Sequence, residues 1–386
     1  MSTSAATSPQ HPPTGDQPGG QPPRSERHPQ PGQRPQQRGV RPPGYTLIRC
    51  GRHASFLLHR RSAVVAAFLT LLLIAVSVAY LSLGESTVAP AEVIRVLLGH
   101  PSPDELVVGT LRLPRLVVGL LVGAAFGVAG ALIQTVARNP LASPDIIGIS
   151  QGATAVTVIG LTFGITSYAV LPYFSVLGGL VAAVLVYLFA WRGGLNATRF
   201  VLIGIGFAVA LRSITHLVLT KGDQHVAQQA QIWMTGSLNG RGWEEVEPLG
   251  WVLLALIPAV LWAARAQRTV SLDDGTSTAL GVRLGRVRLG LVGVGVVLAS
   301  VATGAAGPVD FVALLAPQTA RRLTRTAQIP LLCSALVGAF VVVLADLLSR
   351  RAFAPTELPV GVLTAAVGAP YLIWLIVRGR TAAGRA

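Results

Sequence analysis

Lysine is nearly missing from this chain: of its 31 basic residues only Lys221 is a lysine, and no glycine-rich loop ends in Lys-Ser or Lys-Thr. Without the lysine that ordinarily holds nucleotide phosphates, the chain is not expected to hydrolyse ATP itself. Cysteine is scarce too. Cys50 and Cys333 lie far apart and Cys333 sits in an apolar run, so metal-ligand spacing is absent, a disulfide is disfavoured, and Cys333 reads as a small buried apolar side chain. No nucleophile, base and acid form a catalytic pattern and no cofactor motif occurs, so the expectation is a non-enzyme without a cofactor. Charge is the third shortage. Only 12% of the 386 residues are charged while 51% are hydrophobic, too few charges to solvate a soluble surface of this size. The formal net charge of +15 sits largely in a tail and short loops and is not interleaved with aromatics, which argues against nucleic-acid binding.

What the chain has in abundance is apolar runs long enough to cross a bilayer, which takes about 20 residues each. They fall near 62–83, 113–136, 145–165, 169–190, 199–220, 247–264, 288–306, 309–324, 330–350 and 358–377. The fold class is therefore all-α, a polytopic membrane protein with about ten transmembrane helices. Residues 1–43 are rich in Pro, Gln, Gly, Ser and Arg and poor in aliphatics, a composition that predicts a disordered cytoplasmic tail. A basic juxtamembrane segment follows at 44–61, then a transmembrane domain at 62–380 with its largest inner loop at 265–288. An even number of spans returns both termini to the cytoplasm, and the loop arginines from Arg138 to Arg380 favour that orientation by the positive-inside rule. Arg112, Arg115, Lys221, Arg241, Arg350 and Arg351 fall on the outer side, against the bias.

Helix breakers recur in two places: Asn139-Pro-Leu-Ala-Ser-Pro-Asp145 with Gly148, and Gly304 to Pro308 with Pro317. Breaks inside a membrane are tolerated where freed backbone groups face protein or a water-filled path, so both point to a path between helices. Gly123, Gly127 and Gly130 read equally well as close helix packing. The outer arginines admit two readings, a docking surface for acidic partners or snorkelling to headgroups, and two clusters on one side favour docking. In the large loop, Asp273 and Asp274 precede Thr276 to Leu280 and can cap a short helix that another protein grips; a solvated linker is the alternative. Gln134, Asn139, Asp145, Arg212, His216, Asp310 and Asp346 lie at membrane depth, where they should pair or line the interior. Asp346 and Arg350 have the spacing of a structural helix pair. For Arg212 and His216, interhelical bonding and lining the path are both open, and a secondary transporter with an ion relay through these groups and Asp310 and Asp346 is the competing class.

The motifs resemble those of the FecCD-type permeases of iron-siderophore and vitamin B12 ABC importers. They are Arg112-Leu-Pro-Arg115, Gly123-Ala-Ala with Gln134, Arg138-Asn-Pro-Leu-Ala142, Gly236-Ser-Leu with Trp243, Leu280-Gly281, Ala306-Gly-Pro308 with Phe311, Ala316-Pro317, Ala320-Arg321, Ala345-Asp346 and Glu357-Leu-Pro-Val-Gly361. Gly236-Ser-Leu-Asn-Gly240, Asp273-Asp-Gly-Thr276 and Ala320-Arg-Arg322 are similar to the enterobactin-type branch, which favours a catecholate ferric siderophore over cobalamin or haem. The resemblance implies a type II ABC importer fold, a second permease subunit, identical or homologous, two cytoplasmic ATPase subunits, and an extracytoplasmic siderophore-binding protein. It implies that Arg112, Arg115 and Arg350 meet acidic residues of that binding protein. It implies that Leu272, Asp273, Asp274, Thr276, Ala279, Leu280 and Gly281 form the element gripped by the ATPase, and that Asn139, Leu141 and Thr198 lie at the inner gate. Gln318 departs from the pattern, standing where the family usually has His after Ala-Pro.

Overall fold

The computed structural model describes residues 45–50, 54–84, 86–164, 170–191, 197–352 and 356–383, all within one compact unit, Gly44–Ala386. The expectation of a disordered tail at 1–43 lies outside the described residues. The chain enters through an antiparallel hairpin that the hydrophobic pattern does not announce, β1 (Tyr45–Cys50) with Tyr45 opposite His59 of β2 (Ala54–His59). It runs directly into α1 (Arg60–Ser82), whose first turn is capped by His59: the Nδ1 atom accepts from the Ser62 N–H at 3.2 Å.

A short helix, α2 (Pro90–Leu97), and a π-helical turn, Leu106–Arg112, lead into α3 (Leu113–Ala137). The widened turn has a local cause. Pro114 lacks an N–H and its ring crowds the preceding turn, and the helix answers by letting the Leu113 N–H reach back five residues to the Val108 carbonyl. Then come α4 (Ile149–Thr162), α5 (Leu171–Ala190), α6 (Ala197–Lys221), α7 (Gln224–Met234) and α8 (Trp243–Val270). The chain closes with α9 (Asp274–Ala279), α10 (Leu284–Ala306), α11 (Val312–Thr324), α12 (Leu331–Arg351) and α13 (Val360–Ala383). Every expected span coincides with a helix. Among the described residues, seven helices are long and apolar enough to cross a membrane alone. The others are the shorter α4, the apolar Val360–Trp374 part of α13, and α11, and α11, with 13 residues, is the clearest departure: it rises only about 20 Å, short of the ~30 Å hydrocarbon core.

The buried axis is α3, packed against α12, α10, α11 and α8. Its glycines are there for proximity. A Cβ on Gly123 would strike the Gly338 carbonyl of α12, one on Gly127 the Ser334 carbonyl, and one on Gly130 the Ala313 carbonyl of α11. Backbones this close gain dispersion contacts that larger residues forbid, which is how helices associate where lipid offers no hydrophobic drive. Of the two readings of these glycines, packing is the one the geometry carries.

The alternation of passes gives the bundle two ends. At one lie Tyr80, Arg115, Lys221, Asn239, Arg351 and Glu357, with Lys221 exposed at the last turn of α6. At the other lie Arg61, Arg138, Arg268, Asp274, Arg283 and Arg321, together with the starts of α1 and α12. Among the described residues, the arginines that the sequence sorts into inner and outer groups are sorted the same way between these ends.

Candidate transport path and coupling surfaces

At the Arg115 end, three outwardly charged residues turn inward. Arg115 is only 8% exposed and its Nε and Nη2 donate to the two carboxylate oxygens of Asp346 at 3.0 and 2.9 Å, while Nη1 reaches Glu357 at 3.0 Å and Asn239 at 3.4 Å. The Tyr80 hydroxyl donates to Asp346 at 2.5 Å, and the Arg350 guanidinium lies over the Tyr80 ring at 4.1 Å. Arg350 also stands 3.6 Å from Asp346, the helix pair that the sequence spacing predicts. Arg112 donates to the carbonyls of Leu81, at 2.7 Å, and Ser86, at 2.6 Å. Arg112 and Arg115 thus find acceptors within this chain, as burying an arginine requires, while Nε and Nη2 of Arg350 are buried without a hydrogen-bond partner. Arg351 is the exposed member of the group, its Nη1 donating to the Gly84 carbonyl at 2.9 Å.

Beneath this cluster three connections meet backbone to backbone. The Ser237 N–H donates to the Ala306 carbonyl at 2.8 Å and the Gly361 N–H to the Gly236 carbonyl at 3.1 Å. Gly236 and Gly307 adopt positive φ, 68° and 74°, and a side chain on either would meet the facing backbone. The second helix break predicted from sequence is this junction, and it lets α11 begin inside the bundle.

The first break follows Arg138, which ends α3 in a left-handed conformation with φ 48°. Asn139 then makes an Asx turn, its Oδ1 accepting from the Leu141 N–H at 2.9 Å. Residues 139–148 fold back toward α6, where Gly204 leaves room for Ile147. This return brings Asp145 within electrostatic reach of Asp310, which in turn lies within reach of Arg212. Asp145 also accepts from the Ser150 hydroxyl at 2.7 Å. Asn139 and Leu141 are half-buried, and Thr198 is exposed in the first turn of α6 at the same end.

Between that return and α11 lies a polar cavity of about 250 Å³. Gln318 Nε2 donates to Gln134 Oε1 at 2.6 Å on one wall, and Gln134 in turn donates to the Leu314 carbonyl at 3.2 Å. A side-chain amide thus performs at Gln318 a structural bond between α11 and α3.

The large loop holds a short exposed helix, as its aspartates predict, shifted to Asp274–Ala279. Asp273 is the cap, accepting from the Gly275 N–H at 3.0 Å, and Asp274 has a different role from the capping one expected. Its Oδ1 takes Arg138 Nη2 at 2.5 Å and Arg288 Nη2 at 2.7 Å, joining the loop to the ends of α3 and α10. Partial burial pushes the Asp274 carboxyl up, but the bonds and charges of Arg288 and Arg138 outweigh it and hold it below the usual aspartate value. Ser277, buried, donates to the Thr269 carbonyl of α8 at 2.7 Å. Leu272, Thr276, Ala279, Leu280 and Gly281 stay exposed, with Leu280 at 67%. The result is a knob fastened to three spans that presents Leu272, Ala279 and Leu280 outward beside the exposed Asp273, Thr276 and Thr278.

A multi-pass helical bundle with one end closed by a backbone junction, a half-length helix starting at mid-depth and a clamped knob at the opposite end defines a membrane permease subunit. The chain belongs to the FecCD transport family, which matches residues 70–378. It is 38% identical over 296 residues, 76% of this chain and 90% of the relative, to the ferric enterobactin transport system permease protein FepG of Escherichia coli. It is 39% identical over 314 residues, 80% of this chain and 90% of the relative, to the achromobactin permease protein CbrC of Dickeya dadantii. The iron(3+)-hydroxamate import permease protein FhuG of Bacillus subtilis matches at 36% identity over 82% of this chain and 97% of its own length. Among solved structures the chain is similar to an ABC transporter titled as metal-chelate type in an inward-facing conformation, with a TM-score of 0.70 and 26% identity, over 82% of this chain and 99% of that one.

Proposed function

We propose that this chain is the permease subunit of an ABC importer that carries a ferric siderophore across the cytoplasmic membrane, with both termini on the cytoplasmic side. The family match across residues 70–378 carries the reading, and the named systems of the relatives, which span enterobactin, achromobactin and hydroxamate transport, set its breadth. A catecholate cargo is the narrower proposal, supported by the enterobactin-type motifs. Partner ATPases bind the knob around Leu272–Gly281, a second permease subunit completes the path, and a binding protein docks at the Arg115 end. Closure of the ATPases moves the knob, and its fastening to α3, α8 and α10 passes that motion to the gate at Asn139, Leu141 and Thr198.

In this reading Arg112, Arg115 and Arg350 support the docking face from below by holding α1, α3, α12 and the Glu357 loop together. Arg351 offers the exposed charge. The Asp145–Asp310–Arg212 group lines the path and carries no ion relay of its own. The test is uptake of radiolabelled ferric siderophore into proteoliposomes bearing the complete complex. Uptake that needs ATP and binding protein and survives a proton uncoupler supports the proposal; uptake abolished by the uncoupler alone hands it to the secondary-transporter reading. Competition among ferric catecholate, ferric hydroxamate and cobalamin then fixes the cargo class.

A further inference from the structure

Beside the knob, at the Arg138 end, lies an open groove of about 550 Å³ whose other walls, away from the knob, have no role in the transport cycle described above. Its walls are mostly apolar, formed by Tyr187 and Trp191 at the end of α5, by Val282 just before α10, and by Leu284 and Leu289 in the first turns of α10. Tyr187 and Trp191 meet in a tilted pair with ring centroids 5.3 Å apart and planes at 43°, and Trp191 remains 43% exposed. Arg283 and Arg286, both exposed and three residues apart, stand at the rim.

Two observations say what covers this groove. It continues the exposed stripe of α5, where Leu177, Val181, Val184 and Leu188 are 47–59% exposed on a helix that is long and apolar enough to cross the membrane. A surface of that kind is solvated by acyl chains. The groove also lies where the stripe ends, with a tyrosine and a tryptophan, the residue types that favour the headgroup level, and with two cations rather than acids above it. Apolar wall, interfacial aromatics and paired guanidinium groups match one molecule in sequence: acyl chain, glycerol backbone and phosphate.

We propose that the groove is a binding site for an anionic phospholipid, with its chain along Tyr187, Trp191 and Leu289 and its phosphate held by Arg283 and Arg286. The lipid then sits against Thr278, Gly281 and Val282, which also line the groove. Occupation therefore fixes the knob against α5 and α10, and membranes rich in anionic lipid keep ATP hydrolysis coupled to uptake. That last consequence rests on the proposed role of the knob, whereas the binding does not.

The test is native mass spectrometry of the detergent-purified full-length protein with phosphatidylglycerol, with phosphatidylcholine of the same chains, and with inorganic phosphate. Preferential retention of phosphatidylglycerol, not displaced by inorganic phosphate, is the expected result. Arg283→Ala with Arg286→Ala should weaken that retention about 30-fold, whereas Arg283→Lys with Arg286→Lys should keep most of it. Equal retention of the two lipids, equal retention by the alanine variant, or displacement by inorganic phosphate would overturn the proposal. So would protection of Arg283 and Arg286 from hydrogen exchange or chemical modification only when the partner ATPase is present, since a protein would then be the occupant. In proteoliposomes, coupling that rises with phosphatidylglycerol in the natural protein and not in the alanine variant supports the regulatory consequence. Lipid retention without that rise refutes the consequence and leaves the site standing.

Discussion

Arg115 and Asp346, 231 residues apart in sequence, face each other through two parallel hydrogen bonds of 3.0 and 2.9 Å. This bidentate pair binds the start of α3 to the end of α12, and Tyr80 adds α1 to the same carboxylate. Breaking it from one side leaves a buried charge without its partner.

Arg115→Ala and Asp346→Asn should therefore each lower the stability of the detergent-solubilised protein by about 3–5 kcal/mol, read as a fall in the midpoint of thermal unfolding. Arg115→Met combined with Asp346→Leu should cost less than the sum of the two, because Arg115 and Asp346 no longer strand each other, although Arg350 still loses its carboxylate. Single variants as stable as the parent protein would show that the cluster is not structural.

The same geometry separates support from docking. Arg351→Glu should weaken attachment of the binding protein while leaving the unfolding midpoint within a degree or two of the parent. Arg112→Glu should lower the midpoint first. Thermal unfolding that leaves Arg112→Glu as stable as the parent, with surface-plasmon binding of Arg351→Glu at the parent level, would reverse this division of roles.

Asp274 makes a prediction about acidity. Its folded-state pKa is lowered, so the clamp to Arg138 and Arg288 is fully present above the ordinary aspartate value and is lost as pH falls through the lowered one. Asp274→Asn should mimic that acid state at neutral pH, raising ATP hydrolysis per molecule imported. A ratio unchanged in this variant would remove the clamp from the coupling route.

Close packing predicts a fourth outcome. Gly130→Ala places a methyl group against the Ala313 carbonyl of α11, and Gly123→Ala does the same at Gly338. Each should destabilise the fold by about 1–3 kcal/mol through overpacking, whereas Gly293→Ala, which meets open space, should be nearly silent. Thermal unfolding distinguishes the three.

The spans were legible because apolar length is a property of neighbouring residues, and the knob because Asp273 and its helix are adjacent. α2 and α7, with 8 and 11 residues, were missed: segments so short give too few turns for periodicity to separate helix from loop. The burial of Arg115 was illegible for another reason. Its acceptors, Asp346 and Glu357, are 231 and 242 residues away, and a charge at a helix end looks alike in sequence whether it faces water, headgroups or a distant carboxylate. Gln318 shows the converse, since its polarity was plain but its partner, Gln134, required the crossing of α3 and α11 to be known.

The near absence of lysine has a practical corollary at the surface. Lys221 is exposed at the last turn of α6, at the end where Arg115 and Glu357 lie. A dye that reacts with primary amines and cannot permeate intact cells should tag that position from outside, and Lys221→Arg should abolish the signal there. Sidedness of the entire bundle thereby becomes readable from a single ammonium group.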